Sequence, residues 1–420
     1  MTHPAELSAA EAARRIAAGR LSAQDLMEAC LERVREREPV LRAFAAFDPA
    51  LPRRAAAGPL SGPLAGLPIG VKDVLDTADQ RSEYGSPIWA GYRPRADASA
   101  VALARAAGGV IMGKTVTTEF ATRHPGPTRN PHDPARTPGG SSQGSAAGVA
   151  AGFFPLAFGT QTGGSVLRPA SYCGVTGLKP SFGLIHRGGM KVMSESLDTI
   201  GVFGQRVEDC ALFAGALTGL DLTSRPDGAP RIALCHGPGE ALLSPDVIGL
   251  IESAAQRLSA AGARVTTVAL PPPLAAATAA HPAVMDGETV HALAWERNTA
   301  RALLSPVLNE RMDWAANLPT ATVIEGRATF AAARAAFRDM MGEFDILLTA
   351  AAPSEAPHGL ETTGNPICNA LWTALHGPCI SLPAGTGTAG MPIGLQLVAP
   401  FGDDARLLAW AGWVEAKLEG

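Results

Sequence analysis

Two serines follow Gly-Gly pairs that stand close together in the chain. Ser141 lies in PGGSSQGS, and Ser165, 24 residues later, lies in TQTGGSVLRP. A Gly-Gly pair lets the backbone bend tightly and lets its N–H groups approach a ligand unhindered. Each run by itself is also typical of an ordinary loop or a phosphate cradle, although neither continues into the GK[ST] of a P-loop. Together the two turns predict a site that binds an oxyanion.

The third residue that could take part in catalysis is Lys72, which ends the apolar, strand-like run LPIGV. Lysine is scarce here: among the 35 basic residues the lysines are those at 72, 114, 179, 191 and 417. A lysine that enters a core costs free energy unless it is neutral or paired. Lys72 is therefore a candidate proton acceptor. The alternative interpretation is that it pairs with Asp73 or Asp76 at the surface.

Several segments resemble, in order, the hallmarks of the amidase signature family. They are GVKD at Lys72, GGSSQGSAAG, GTQTGGSVLRPASYCGVTGLKP and SLDTIGVFGQRVED at 196–209. The resemblance extends to PGPTRNPHDPARTPGGSS and MPIGLQLVAPFGDDARLL, and so covers most of the chain from about Gly62. It implies a Ser–Ser–Lys triad in which Ser165 is the nucleophile, Ser141 relays its proton and Lys72 takes it.

The resemblance also implies how the triad is supported. Backbone N–H groups of Thr162, Gly163 and Gly164, with that of the nucleophile, are the expected oxyanion hole, and Ser142 is expected to orient the lysine or the relay serine. The relay serine is expected at a cis peptide bond. No metal or organic cofactor is required, because a lysine desolvated in an apolar pocket can accept the serine proton. The predicted reaction is hydrolysis of a small amide through an acyl-enzyme.

Gln161 and Leu167 depart from the commonest family pattern, GTDTGGSIR, which has an aspartate and an arginine at these positions. An arginine follows one place later, at Arg168. The TQTGGSV-x-RP variant resembles the branch that includes malonamidase. A guanidinium facing the pocket would hold a substrate carboxylate bidentately. The alternative is that Arg168 braces the loop through a buried carboxylate.

The wall of the pocket is expected to come from residues 270–375. Trp372 and His376 are the predicted substrate contacts and Trp295 and Trp314 are further candidates, although core packing explains tryptophans equally well. The substrate class also stays open, because carbamates and aryl esters share the acyl-transfer mechanism.

Other functions compete with this interpretation. Gly140–Gly144 satisfies the G-x-S-x-G of α/β-hydrolases, with His376 as the best histidine partner, but that elbow needs a preceding hydrophobic strand and RNPHDPARTP cannot form one. Cys173 as a nitrilase-type nucleophile is a weaker alternative. The subunit that delivers ammonia in tRNA-dependent amidation shares the triad, but the absence of the usual aspartate at Gln161 favours a stand-alone hydrolase.

The elements that must position these residues indicate an α/β fold. Two capping boxes, S-x-x-E at 8–11 and S-x-x-D at 22–25, predict two N-terminal helices, the second ending before Pro39. From Gly62 onward the runs LPIGVKDV, ASAVALARAAG and GVIMGKT alternate between strand and helix patterns. The predicted fold is a large twisted mixed β-sheet covered by helices on both sides.

We expect one domain over residues 1–420. The expected regions are an N-terminal helical region at 1–60, the catalytic core motifs at 62–219, a variable and mostly helical insertion at 220–345, and a C-terminal return to the core sheet at 346–420. No charged residue occurs between Pro138 and Leu167, so that stretch must be buried or face the pocket.

Composition limits the partners. Hydrophobic residues make up 46% of the chain and charged residues 18%, and the net charge of −4 provides no basic surface for nucleic acid and no polybasic strip for a membrane. No apolar stretch reaches the length of a membrane helix. Six scattered cysteines and an N-terminus unlike a signal peptide predict reduced thiols and a cytoplasmic protein. The expected partner is a small-molecule amide, and a homodimer stays open.

Overall fold

The computed structural model describes residues 3–419, and its framework is one 11-stranded sheet. The strands are β1 Phe44–Ala46, β2 Pro68–Lys72, β3 Val110–Thr115, β4 Leu156–Gln161, β5 Thr176–Lys179, β6 Thr199–Gly204, β7 Arg231–Leu234, β8 Arg264–Thr267, β9 Ile346–Ala350, β10 Cys379–Thr386 and β11 Pro392–Val398. The helices are α1 Ala9–Ala17, α2 Ala23–Leu41, α3 Ala50–Ala56, α4 Ser99–Ala106, α5 Gln143–Ala150, α6 Leu167–Cys173, α7 Val207–Thr218, α8 Pro245–Ala260, α9 Pro272–Ala292, α10 Ala294–Thr299, α11 Pro306–Ala316, α12 Thr320–Met340, α13 Ile367–Ala374 and α14 Asp404–Glu419. None of the helices within residues 3–419 is both long and apolar enough to span a bilayer.

The sheet is mixed, with the order β1-β3-β2-β4-β6-β5-β10-β11-β9-β7-β8. Strand β2 lies parallel between β3 and β4, and β7 lies parallel between β9 and β8, while all other neighbours are antiparallel. The crossover from β2 through α4 to β3 is the strand–helix–strand alternation that the sequence predicts, because parallel neighbours need such a connection. The fold is the predicted mixed α/β sheet with its covering helices.

Both predicted N-cap serines cap their helices, although within residues 3–419 the return bond of a full capping box does not form at either helix. Ser8 Oγ accepts the N–H of Glu11 at 3.2 Å at the start of α1, and Ser22 Oγ accepts the N–H of Asp25 at 2.9 Å at the start of α2. The predicted end of α2 before Pro39 is wrong, because the helix continues to Leu41. A proline in the last turn removes one hydrogen bond from a 19-residue helix whose apolar face is buried, and packing offsets that loss.

Residues 220–345 hold α8 to α12 and also two strands, β7 and β8, which form one edge of the sheet. Helix α9 packs along α12 and also contacts α11 and α13. This segment therefore supplies a helical wall beside the end of the sheet where the catalytic motifs gather.

Candidate active site

Lys72 ends the buried strand β2 and is itself fully buried. Its Nζ lies 2.6 Å from Ser141 Oγ, 2.8 Å from Thr160 Oγ1 and 3.3 Å from the Thr160 carbonyl oxygen. The alternative pairing with Asp73 or Asp76 does not occur, because Asp73 pairs with Lys114 and Asp76 accepts the Tyr84 hydroxyl.

Burial lowers the pKa of Lys72 well below its ordinary value, and the more distant charge of Asp198 opposes this only in part. The cause is desolvation, since a charged ammonium loses its hydration and gains no carboxylate in contact. A lysine in this setting can be neutral and accept a proton from the hydroxyl beside it.

Ser141 lies two residues before α5, after a turn whose conformation favours glycine. Gly139 has φ +81°, and a Cβ there would stand 2.8 Å from Pro169 Cα. The Gly140–Ser141 peptide bond is cis, as the family resemblance implies.

Within residues 3–419 no hydrogen bond joins the Ser142 hydroxyl to Lys72 or to the Ser141 side chain. Ser142 Oγ accepts the N–H of Thr160 at 3.3 Å and lies 3.3 Å from the Thr160 carbonyl oxygen. Thr160 in turn contacts the lysine ammonium through two oxygens. Ser142 therefore supports the lysine indirectly, because Thr160 of strand β4 lies between the two side chains.

Ser165 lies in the turn between β4 and α6. The turn residues Thr162, Gly163, Gly164 and Ser165 all line a cavity of about 480 Å³, and Ser165 is half-buried. Within residues 3–419 a hydrogen bond joins Ser141 to Lys72, whereas none joins Ser165 to Ser141. The structure therefore brings the three motifs to one place without closing the whole relay.

Gln161 replaces the aspartate of the common family pattern with a neutral side chain that has local partners. Its Oε1 accepts the N–H groups of Val166 and Leu167 at 2.9 and 3.1 Å, which caps the start of α6. Its Nε2 donates to Thr373 Oγ1 at 3.0 Å, and that hydroxyl donates to the Gly163 carbonyl at 2.8 Å. Hydrogen bonds of an uncharged amide therefore hold the turn without an ion pair at this position.

Arg168 is buried and lines the cavity. Nε donates to the Thr363 carbonyl at 2.7 Å, and Nη2 donates to the Gly140 carbonyl at 2.7 Å and to Thr363 Oγ1 at 3.1 Å. The expected brace through a carboxylate is wrong, since these partners are carbonyls and a hydroxyl. Desolvation lowers the pKa of Arg168 to about 10.

The third nitrogen of Arg168, Nη1, has no hydrogen-bond partner in the described part of the chain. A Cβ on Gly164 would stand 3.0 Å from this Nη1 and 2.4 Å from Asn369 Oδ1, which also has no partner there. Glycine at 164 thus lets a buried donor and a buried acceptor approach the turn.

Trp372 and His376 do not line the cavity, contrary to the sequence prediction. Trp372 is fully buried in the main core against Phe337 at a centroid distance of 5.8 Å. His376 stacks on Phe182 at 4.3 Å and bonds the Ser196 carbonyl at 2.8 Å. Because core packing and a main-chain bond occupy them, neither side chain is available to a substrate in the cavity.

The two tryptophans named as further candidates, Trp295 and Trp314, are exposed. Between residues 270 and 375 the cavity wall consists instead of segments of α9 and α11, the loop at 361–366 and the start of α13. At this wall Asp286 forms an ion pair with Arg311 and lies 3.7 Å from Arg123.

The competing nucleophiles find no support. Cys173 is fully buried, and burial raises the pKa of its thiol, which disfavours the reactive thiolate. The residues before Gly140 form no strand, as an α/β-hydrolase elbow would need, and His376 bonds a carbonyl. Within residues 3–419 there is also no group of three or more His, Cys, Asp or Glu side chains with the geometry to hold a metal ion.

Sequence reasoning did not identify His281, Thr373 or Thr160. His281, on α9, is buried and its Nε2 lies 3.0 Å from the Thr162 carbonyl oxygen. The Thr162 hydroxyl donates to Asp198 Oδ1 at 2.5 Å. Thr160 and Asp198 stand in the family motifs GTQT and SLDT, which could have signalled them, whereas His281 and Thr373 lie outside every motif.

Comparison with known proteins identifies the relatives of this chain. The model of the amidase family matches residues 25–408. A glutamyl-tRNA(Gln) amidotransferase subunit of Thermus thermophilus is 37% identical over 94% of this chain and 93% of its own length. The protein of the same name from Roseiflexus castenholzii is 39% identical, over 64% of this chain and 61% of its own length.

Solved structures share the whole architecture. A crystal structure of an amidase superposes with a TM-score of 0.90 at 29% identity, covering 98% of this chain and 100% of that one. The 6-aminohexanoate cyclic dimer hydrolase in complex with its substrate superposes with a TM-score of 0.88 at 26% identity, covering 99% and 97%. Both similarities extend over the site described above as well as over the helical wall.

Proposed function

The chain belongs to the amidase family and is an amide-cleaving enzyme, and on this premise we propose that it forms an acyl-enzyme on Ser165, with Ser141 as proton relay and Lys72 as base. The observation that carries the proposal is the environment of Lys72. Its ammonium is buried, contacts no carboxylate within residues 3–419 and lies 2.6 Å from Ser141 Oγ.

In the first half-reaction Ser165 Oγ attacks the amide carbonyl as its proton passes through Ser141 to neutral Lys72. The C–O bond forms, the carbonyl π electrons move to oxygen, and backbone N–H groups of Thr162, Gly163 and Gly164 bind the resulting oxyanion. Collapse of this intermediate breaks the C–N bond, and the leaving nitrogen takes the proton back through the relay. The product is an acyl-enzyme and a free amine or ammonia.

In the second half-reaction water takes the place of the leaving amine. The relay removes a proton from the water as it attacks the ester carbon, and Ser165 leaves with that proton. Every proton taken up by Lys72 is returned in the same half-reaction, so the site ends in its starting state.

The surroundings of Arg168 favour a substrate that carries a carboxylate. Its guanidinium is buried with carbonyl and hydroxyl partners only, and Nη1 is unbonded in the described residues. A substrate carboxylate would supply the missing negative charge in a desolvated site. The competing assignment is purely structural, with Nη1 satisfied by Asn369 Oδ1 after a small shift.

Two kinds of enzyme would use this chemistry: the amidotransferase subunit and the stand-alone amidohydrolase. Relatives named as glutamyl-tRNA(Gln) amidotransferase subunits match almost the whole chain, and this favours a subunit whose ammonia serves amidation by a partner. Gln161 no longer favours a stand-alone hydrolase, because its side chain acts locally as a cap for α6. The solved hydrolases keep a stand-alone amidohydrolase as the second candidate.

The first experiment assays the purified chain for ammonia release from glutamine, succinamate and butyramide. Hydrolysis of a carbamate and of an aryl ester is measured in parallel by release of the alcohol and the phenol. Turnover of an amide by the chain alone supports the stand-alone amidohydrolase. Activity that appears only after partner subunits are added supports the amidotransferase subunit. Turnover of the carbamate or the ester without detectable turnover of any amide, with or without partner subunits, would contradict the proposed amide substrate.

The second experiment tests the nucleophile with Ser165→Ala. We expect turnover to fall by a factor on the order of 10⁶, since the attacking oxygen is gone, with an unchanged melting temperature. The matched control is Ser171→Ala, which removes a buried hydroxyl from the neighbouring helix α6 and keeps activity. More than trace activity in Ser165→Ala rejects the assignment.

A further inference from the structure

Helix α9 presents two polar side chains on one face toward the catalytic turn. His281 and Glu288 are seven residues apart, which is about two helical turns, and both are buried. Neither belongs to the triad or to the motifs of the catalytic core. Both nevertheless connect the insertion to Thr162.

His281 makes the direct connection. Its Nε2 lies 3.0 Å from the Thr162 carbonyl oxygen, and because a carbonyl only accepts, the imidazole must donate its N–H. Phe330 of α12 lies beside the ring at a centroid distance of 6.3 Å. A buried ring with a fixed neighbour and one strong acceptor has little freedom to move.

Glu288 makes an indirect connection through the loop before β6. Its carboxylate accepts the hydroxyls of Ser194 and Ser196 at 2.5 and 2.6 Å. Asp198 Oδ2 accepts the N–H of Ser194 at 3.0 Å, and Asp198 Oδ1 accepts the Thr162 hydroxyl. Thr162 is thus held at its carbonyl by His281 and at its side chain by a loop that Glu288 fixes.

The geometry of the peptide group gives this contact a catalytic consequence. The Thr162–Gly163 bond is trans, so its C=O and the N–H of Gly163 lie in one plane and point in opposite directions. Fixing the carbonyl oxygen therefore fixes the direction of the Gly163 N–H. Thr373 does the same for the next peptide by donating to the Gly163 carbonyl.

We propose that His281 is a positioning residue that aims the Gly163 N–H at the oxyanion by holding the Thr162 carbonyl. The inference rests on the proposed function, in which that N–H stabilises the tetrahedral intermediate. An N–H group that is free to rotate loses the preorganisation on which oxyanion stabilisation depends. The insertion thereby contributes to rate as well as to the pocket wall.

The test compares His281→Leu, which has no donor, with His281→Gln, whose amide N–H can still reach the carbonyl. We expect His281→Leu to lower kcat by about 10- to 100-fold with KM changed less than threefold, because only the transition state carries the oxyanion. His281→Gln should recover kcat to within about fivefold of the parent. If His281→Leu does not yield folded protein, His281→Asn replaces it, since its shorter amide should fall short of the carbonyl and lower kcat.

The matched control is His132→Leu, which removes another histidine-to-carbonyl bond, His132 Nε2 to Cys173 O at 2.9 Å. We expect it to keep kcat. A peptide aldehyde or boronic acid that forms a tetrahedral adduct should bind His281→Leu more weakly, by the same factor as kcat/KM falls, while the affinity for the product acid stays constant.

Unchanged kcat in folded His281→Leu would overturn the inference. So would a rise in KM at constant kcat, or a loss in His281→Gln as large as in His281→Leu. These results differ from failure of the proposed function itself, which would appear as retained activity in Ser165→Ala. An inactive Ser165→Ala together with a fully active His281→Leu would reject only the role of His281.

Discussion

Two buried lysines on adjacent parallel strands have opposite surroundings. Lys114 on β3 pairs in register with Val71 on β2, one residue before Lys72, and both lysines are fully buried. Lys114 Nζ lies 3.2 Å from Asp73 Oδ1 and 2.6 Å from the Leu75 carbonyl oxygen. Lys72 contacts two hydroxyls and a carbonyl, but no carboxylate from the described part of the chain.

The difference shows what a buried lysine needs in order to act as a base. Burial lowers the pKa of both lysines, but at Lys114 the adjacent Asp73 charge opposes the shift, whereas at Lys72 only the more distant Asp198 does so. An ion pair stabilises the protonated form and hydroxyl partners accommodate the neutral one. Lys114 is therefore the structural lysine and Lys72 the proposed proton acceptor.

The largest expected effect is on activity. Lys72→Met should lower kcat by a factor on the order of 10⁴, since the serine loses its base, and adding Ser141→Ala should cost little more, because one relay cannot be lost twice. Lys114→Met should change kcat per folded molecule by less than about tenfold. Steady-state kinetics at equal folded concentration measure both. Equal losses of kcat in Lys72→Met and Lys114→Met would contradict the different roles assigned to the two lysines.

The second effect is on stability, where we expect the larger loss in the Lys114 variant instead of the Lys72 variant. Lys114→Met leaves the Asp73 carboxylate buried without its cation and should lower the free energy of unfolding by about 3–5 kcal/mol. Lys72→Met leaves no charge unpaired, so at one fixed pH it should lower the free energy of unfolding by less than Lys114→Met does. Urea unfolding measures both, and adding Asp73→Asn to Lys114→Met should recover part of the loss. A larger loss in Lys72→Met would contradict the assignment.

The third effect is on pH dependence. Because neutral Lys72 is the active form, kcat/KM should rise with pH through its lowered pKa and be level before pH ~10.4, the ordinary value for lysine. Between these two values the unfolded chain binds more protons, so the free energy of unfolding also rises with pH. Lys72→Met should remove the part of that rise that Lys72 contributes, since burial also lowers the pKa of Lys114 and Lys179, whereas Lys114→Met should leave the kcat/KM profile in place. A profile that falls with pH in this range would reject Lys72 as base.

The smallest effect concerns Arg168, a buried cation that, like Lys72, contacts no carboxylate among the described residues. If it binds a substrate carboxylate, Arg168→Lys should reduce the preference for succinamate over butyramide by about tenfold, because a lysine cannot reproduce the planar fork. If it only braces the turn, both substrates slow alike and the melting temperature falls. The ratio of the two kcat/KM values separates these outcomes.

The sequence alone determined the features that depend on near neighbours. The caps of α1 and α2 and the alternation of β2, α4 and β3 follow from residues a few positions apart, whose spacing fixes which groups face each other. The triad candidates were also readable, because Gly-Gly-Ser turns and a lysine after an apolar run are local patterns. Local patterns failed where packing decided, as in the continuation of α2 through Pro39 and the two strands in residues 220–345.

Only the tertiary structure decided which partners the reactive groups have. His281 meets Thr162 across 119 positions of chain, and Arg168 meets Thr363 across 195. The same packing placed Trp372 in the core and His376 on a main-chain carbonyl, although both were expected to contact the substrate. The type of a side chain determines which hydrogen bonds and ion pairs it can form. Its pKa and orientation depend on its burial and on the partner it contacts. Burial and partner in turn depend on contacts between segments that are distant in the sequence.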